Sequence, residues 1–174
     1  MPLVDTIFQP LLDASVGCLC VAMITHPSPP ALCCQRWGDH VSLGVSTTQD
    51  ECCSGLAWVR FDSAVTTDDG SFPRASTLLR KCSQQWSVSL ELGVARCAPI
   101  GDAHTLPTCG DWTDLKALAA ADMLALRQTV CCIQEIFGYR DLVVGSFQPK
   151  GPEGGCYRTT LDVTVKLTGC DECD

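Results

Sequence analysis

Trp86-Ser87-Val88-Ser89-Leu90-Glu91-Leu92-Gly93-Val94 alternates apolar and polar side chains over nine residues. Successive strand side chains point to opposite faces, so Trp86, Val88, Leu90, Leu92 and Val94 share one face. That pattern predicts a strand with one face on a core and the other toward solvent. A shorter alternation lies upstream, with Ala57, Val59 and Phe61 set against Trp58, Arg60 and Asp62, and predicts a second strand. Between the two, residues 66–82 are polar and broken by Asp68-Asp69-Gly70 and Phe72-Pro73, the pattern of an exposed loop.

Downstream the period changes. Leu115, Leu118, Ala119, Asp122, Leu126, Val130 and Ile133 recur near helical spacing, predicting a helix over 113–136. Asp111 or Thr113 can cap its start, and Gly138 is suited to end it. Leu142–Phe147 reads as a strand, 151–155 as a turn, and Tyr157–Leu167 as a long strand with Thr159, Leu161, Val163, Val165 and Leu167 on one face. Upstream, Leu3, Ile7, Leu11, Leu12, Val16, Leu19 and Met23 predict a helix from Pro2 to Met23.

The expected architecture is therefore α+β: a mostly antiparallel four-stranded sheet packed by two helices, with a long cysteine-rich loop. The whole chain, 1–174, is read as one domain. It divides into an N-terminal helix (1–25), the cysteine-rich loop (26–54), an α+β core (55–168) and an acidic tail (169–174).

Fourteen of the 174 residues are cysteine, a density associated with small disulfide scaffolds. A chain of this length can nevertheless form a core without staples. The start, Met1-Pro2-Leu3-Val4-Asp5, has no basic region, and Asp5 and Asp13 interrupt the apolar run, so no secretory signal is expected. The expected compartment is then a reducing cytosol. Three vicinal pairs occur, Cys33-Cys34, Cys52-Cys53 and Cys131-Cys132. A bond within such a pair strains the intervening peptide, so each pair is expected to direct its sulfurs to different neighbours. Cys18, Cys20, Cys33, Cys34, Cys52, Cys53, Cys97, Cys131, Cys132 and Cys156 are candidate disulfide residues, with connectivity left open.

The chemistry-bearing motifs are few. Cys170-Asp171-Glu172-Cys173 has a zinc-type spacing, and Cys33, Cys34, His40, Cys52 and Cys53 are the residues that would complete a tetrahedron with Cys170 and Cys173. The chain has no second CxxC, and vicinal pairs do not match a zinc finger, so the terminal pair reads equally as a tail or a disulfide partner. His26, His40 and His104 lie in polar segments without a distinguishable nucleophile. Neither a GxxxxGK[ST] nor a GxGxxG phosphate cradle occurs. No active site and no cofactor are expected. A net charge of −8 argues against wrapping nucleic acid, and no uncharged run is long enough to span a membrane.

The order of several segments carries more. Leu56-Ala57-Trp58-Val59-Arg60, Phe72-Pro73, Trp86 through Pro99, the Ala-rich helix ending in Cys131-Cys132, Val144-Gly145-Ser146-Phe147-Gln148-Pro149 and Gly151-Pro152-Glu153-Gly154-Gly155-Cys156 together resemble a cysteine-rich group of neck proteins of actinobacterial long-tailed phages. The likeness covers roughly residues 55–168. The helix–sheet–helix–sheet order is also similar to the tail terminators of siphophages, which form a hexameric ring capping the tail tube. The resemblance implies a non-enzymatic virion protein, assembled in the host cytoplasm, whose partners are its own copies, the adjacent neck ring and the major tail tube protein. DNA would pass through the ring without sequence-specific binding. A head-to-tail connector or stopper of the same neck and a cytosolic zinc-binding domain are the alternatives. The polar segments 62–82 and 98–112 would be the contacts to the neighbouring ring and to the tail tube.

Overall fold

The computed structural model describes residues 7–38, 53–76, 84–99, 106–153 and 155–169. Its elements run α1 (Phe8–Ile24), β1 (Leu32–Arg36), β2 (Leu56–Thr67), β3 (Gln84–Cys97), α2 (Cys109–Phe137), a 3-10 turn (Tyr139–Asp141), β4 (Leu142–Glu153) and β5 (Cys156–Gly169). The strands form one sheet in the order β1-β2-β3-β5-β4. β1 is parallel to β2, and every other pair is antiparallel.

The fold is α+β as expected, but the sheet is five-stranded and mixed rather than four-stranded. The extra strand, Leu32–Arg36, lies inside the segment expected to be a long loop. It is short, lies at a sheet edge and draws its hydrogen bonds from Leu56–Arg60, more than a loop's length away. Nothing local in the sequence marks such a strand.

Other boundaries also move. β2 continues to Thr67 because a register shift between Phe61 and Ser63 lets the polar stretch 63–67 keep pairing with Gln85–Ser89. β4 runs on to Glu153 through Pro149 and Pro152, which an edge strand tolerates because its outward N–H groups need no partner. α2 starts at Cys109, four residues before the expected point. Thr108 and Asp111 form a capping box there, with the Asp111 N–H donating to Thr108 Oγ1 and the Thr108 N–H to Asp111 Oδ2. These hydrogen bonds hold the Asp111 carboxyl below its ordinary range. Gly138, at φ +97°, ends the helix where the sequence placed the stop. The expected start of α1 at Pro2 and the acidic tail from Cys170 lie outside the described residues.

Both helices pack on the sheet face expected to be apolar. Leu11, Leu12, Leu19 and Met23 of α1 and Leu126, Val130 and Ile133 of α2 meet Ala57 and Val59 of β2, Val88, Leu90, Leu92 and Val94 of β3, and Leu161, Val163 and Val165 of β5. On the opposite face Trp58 is fully buried and forms a smaller cluster with Leu56, Ala95 and Cys156. Gly93 sits in register with Trp58, and any Cβ at that position would overlap the indole ring. Here the glycine provides space for a side chain on the neighbouring strand. No helix among the described residues is long and apolar enough to cross a membrane.

Gly93→Ala should therefore act as overpacking and destabilise the fold by about 1–3 kcal/mol. Urea denaturation followed by tryptophan fluorescence measures this. A variant as stable as the wild type would show that the indole has room to move.

Candidate functional site

Two groups of charged side chains are held by the sheet, one on each face. On the helix face, Arg96 stands at the end of the apolar row of β3, where its even-numbered position points it toward the helices. Its guanidinium grips Asp122 of α2, with Nη2 2.7 Å from Oδ1 and Nε 3.3 Å from Oδ2. Nη1 donates to the Ser28 carbonyl at 2.7 Å, beyond the end of α1. His26 completes the group. Its Nδ1 lies 2.9 Å from the Ser28 backbone nitrogen and 2.8 Å from the Ser28 carbonyl oxygen, and its Nε2 faces Asp122. Nε2 lies 3.1 Å from Asp122 Oδ1, but off the line that a hydrogen bond requires. All three side chains are buried.

Fork geometry gives this ion pair both energy and direction. It binds β3 to α2 and to the segment leading into β1. The group is an internal latch.

The opposite face carries a row of charges across four strands. Arg60 of β2, Glu91 of β3 and Asp162 of β5 lie side by side, Lys150 of β4, in register with Arg158, reaches to 3.9 Å from Glu91, and Asp62 stands at one margin. Glu91 accepts from Trp58 Nε1 at 3.1 Å and from Arg60 Nε at 3.3 Å. Arg60 also pairs with Asp62 at 3.1 Å and donates to the Gly38 carbonyl. Glu91 and Asp162 are directly opposed, a cross-strand pair of like charge that is unfavourable unless cations flank it. Partial burial, and next the Glu91 carboxylate, push the Asp162 carboxyl above its ordinary range, while Lys150 and Arg60 oppose that shift. Farther along this face, Lys166 bridges Asp69 at 3.0 Å and Asp141 at 2.7 Å and lies 5.7 Å from the Phe72 ring centre. Asp68 orders the adjoining turn, accepting from the Gly70 and Ser71 N–H groups and from the Ser71 and Ser76 hydroxyls. Part of the expected loop 62–82 is thus a built turn on the sheet face. Residues 77–83 lie outside the described residues.

The cysteines distribute as follows. Cys18 bonds Cys132, Cys20 bonds Cys33, and Cys53 bonds Cys97. Cys156 is also disulfide-bonded. Cys34, Cys109 and Cys131 are free thiols, the last two exposed. The vicinal pairs 33-34 and 131-132 each commit one sulfur to α1 and leave the other free. Of the zinc set, Cys33 and Cys53 are used in disulfides, Cys34 packs against the Trp58 cluster, and His40, Cys52, Cys170 and Cys173 lie outside the described residues. Among the described residues no group of three or more His, Cys, Asp or Glu side chains is placed to hold a metal ion.

The sequence offered one overlooked sign of the latch. Asp122 falls on the apolar stripe of a long helix, and a carboxylate there requires a buried cation. His26 drew attention only as a loop residue. The chain matches no protein-family model and no curated protein sequence.

Asp122→Ala should cost about 3–5 kcal/mol by leaving Arg96 buried without its anion. An Arg96→Met, Asp122→Leu double variant should recover most of that loss in urea melts. Equal loss in both variants would mean that the charges themselves are not what matters.

Asp162 gives a pH-dependent test. Its carboxyl is raised in the fold, so ionising it costs stability above the folded pKa and costs nothing below the ordinary carboxylate range. Asp162→Asn should raise the melting temperature at pH 7, and the gain should vanish near pH 3. A gain of the same size at both pH values would assign the effect to packing.

Proposed function

We propose that the protein is a structural subunit of a phage neck ring, most closely a tail terminator. The observation that carries this reading is the order, among the described elements, of helix, three strands, helix and two strands, with α1 and α2 on one sheet face and two dissimilar outer strands. It agrees with the helix–sheet–helix–sheet order of the resemblance. A ring repeats one head-to-tail contact, which needs two different complementary surfaces on each subunit. A five-stranded sheet whose two edges differ in length, direction and side chains meets that requirement. The side-chain clusters built by the fold are latches and cross-strand charge pairs, which suits a protein whose task is to hold shape.

In this reading the net charge of −8 gives the ring a surface that repels phosphate, so a genome passes without adhering. The cysteines act late. Thiols already brought together within the fold are oxidised by dissolved oxygen once the particle leaves a reducing host cytoplasm, each pair giving up two electrons and two protons to it, and the closed bonds reinforce the neck against the pressure of packaged DNA. The Cys18–Cys132 link closes a loop of 114 residues, for which the chain-entropy account gives about 4–5 kcal/mol.

Mass photometry and negative-stain electron microscopy of the purified chain test the proposal. A hexameric ring with a central opening is the expected result. A twelve-fold ring would instead assign the chain to the connector, one ring closer to the capsid. A monomer at every concentration, with or without a tail tube protein, would overturn the ring reading.

A further inference from the structure

The outer wall of α2 carries a charge pattern that the core does not use. Ala125, Leu126, Thr129, Val130 and Ile133 bury the inner wall, and the Cys18–Cys132 bond holds the rotation of the helix. The outward wall presents Arg127, Cys131 and Glu135, all exposed. They share one shallow groove with Leu124, Gln128 and Cys132.

Arg127, Cys131 and Glu135 follow one another at i, i+4 and i+8, so they form a single row on the helix surface. The two charges stand about 12 Å apart along the axis, too far to pair within one copy. Opposite charges therefore lie at equal distances on either side of a thiol. A row of this kind is its own complement when reversed. Turned end for end about Cys131, it sets Arg127 on Glu135 and Glu135 on Arg127.

Helix packing geometry accommodates that reversal. Helices that cross with their i±4 rows aligned do so at about −50°, with axes roughly 8–10 Å apart. Each Cα lies about 2.3 Å from its axis, so facing Cα atoms at the crossing come to about 3.5–5.5 Å. That range overlaps the roughly 4.4–6.8 Å that a disulfide spans. Cys18 bonds Cys132 and His26 meets Asp122, so α1 runs antiparallel to α2. Crossing in this sense carries Leu124 of the second copy, 55% exposed in one copy alone, over α1 near Ala14 and Gly17. Gly17 is exposed in mid-helix, where glycine weakens a helix, and a Cβ there would meet nothing within 4 Å inside one copy. A leucine arriving from a second copy uses that space.

We infer that α2 is a two-fold docking surface for a second copy of this chain, crossing antiparallel at Cys131, with Arg127 of each copy paired to Glu135 of the other. The two Cys131 thiols meet on the axis, where dissolved oxygen closes them. Each sulfur gives up its hydrogen, one S–S bond forms, and the two electrons and two protons reduce oxygen to hydrogen peroxide. A two-fold contact is distinct from the head-to-tail joint of a ring, so the inference goes beyond the ring reading and does not depend on it.

Two readouts test it on the full chain, kept in air throughout. On non-reducing gels the wild type should form a covalent dimer whose bridged peptide, by mass spectrometry, joins Cys131 to Cys131. In a Cys131→Ser background, sedimentation equilibrium should show a noncovalent dimer. Its dissociation constant should rise about ten-fold or more with Arg127→Glu or with Glu135→Arg, because either change opposes like charges at both ends. Mixing those two variants should restore the original constant in mixed dimers, since every pair is again opposite. Circular dichroism checks that each variant keeps its fold. A dimer bridged through Cys109, single variants that associate as tightly as their parent, or a mixture that stays weak would overturn the two-fold contact. Rings that form with Cys131 unbridged and Arg127 indifferent to charge reversal would overturn it too, and leave the ring reading standing.

Discussion

The pairing of Arg96 with Asp122 is the constraint on which the helix layer depends. Two charges cannot be left unpaired in an apolar interior, so β3 and α2 must meet at one register. Sliding α2 by a single turn would separate the groups by about 5 Å and strand both. Arg96 also donates to the Ser28 carbonyl, so the segment leaving α1 is tied to the same point. Hydrophobic contact alone tolerates small shifts of a helix on a sheet. The latch removes that tolerance and sets where α1 ends, and hence where β1 begins.

The disulfides act on the same layer. Cys18–Cys132 links α1 to α2, and Cys20–Cys33 links α1 to β1. Cys53–Cys97 then ties the approach to β2 to the last residue of β3, beside the strand end that carries Arg96. Each of these cross-links ties a helix or a loop end to a neighbouring element. The noncovalent core that the helices and sheet share is continuous without them. On the other sheet face no helix of the described residues takes part, and alignment comes from cross-strand chemistry. Trp58 fills the space Gly93 leaves, and its indole N–H and the Arg60 guanidinium both converge on Glu91.

How much of this the sequence revealed depends on how local each signal was. β3 was legible because nine alternating residues state its period, and α2 because a long apolar stripe and Gly138 state its length and stop. β1 was hidden because five residues of mixed character become a strand only when β2 lies beside them. Both the bulge in β2 and the prolines of β4 read as interruptions, yet each is compatible with pairing on one side only. Asp122 was counted into the apolar stripe by its spacing, although its charge was the clue to a buried partner. His26 and Arg96 are 70 residues apart in the chain, and no one-dimensional pattern joins them. The cysteine pairing was illegible for the same reason, since fourteen thiols permit too many connectivities.

The placement of rigidity and openness in the molecule then makes sense together. The interior is over-determined, by an ion-pair fork, disulfides and a filled glycine niche, while among the described residues β4 ends the sheet with Val143 and Val144 exposed. A monomer gains nothing from that combination, because a bare apolar strand end invites unwanted pairing. A subunit that must repeat one contact around a closed ring gains from it directly. Its edges have to stay open, and the body between them has to keep a fixed angle, since a small error in each subunit accumulates around the circle. Latches that hold the helices to the sheet keep the angle between β1 and β4 constant. In the proposed ring, internal stiffness and open edges would be two parts of one requirement, closure.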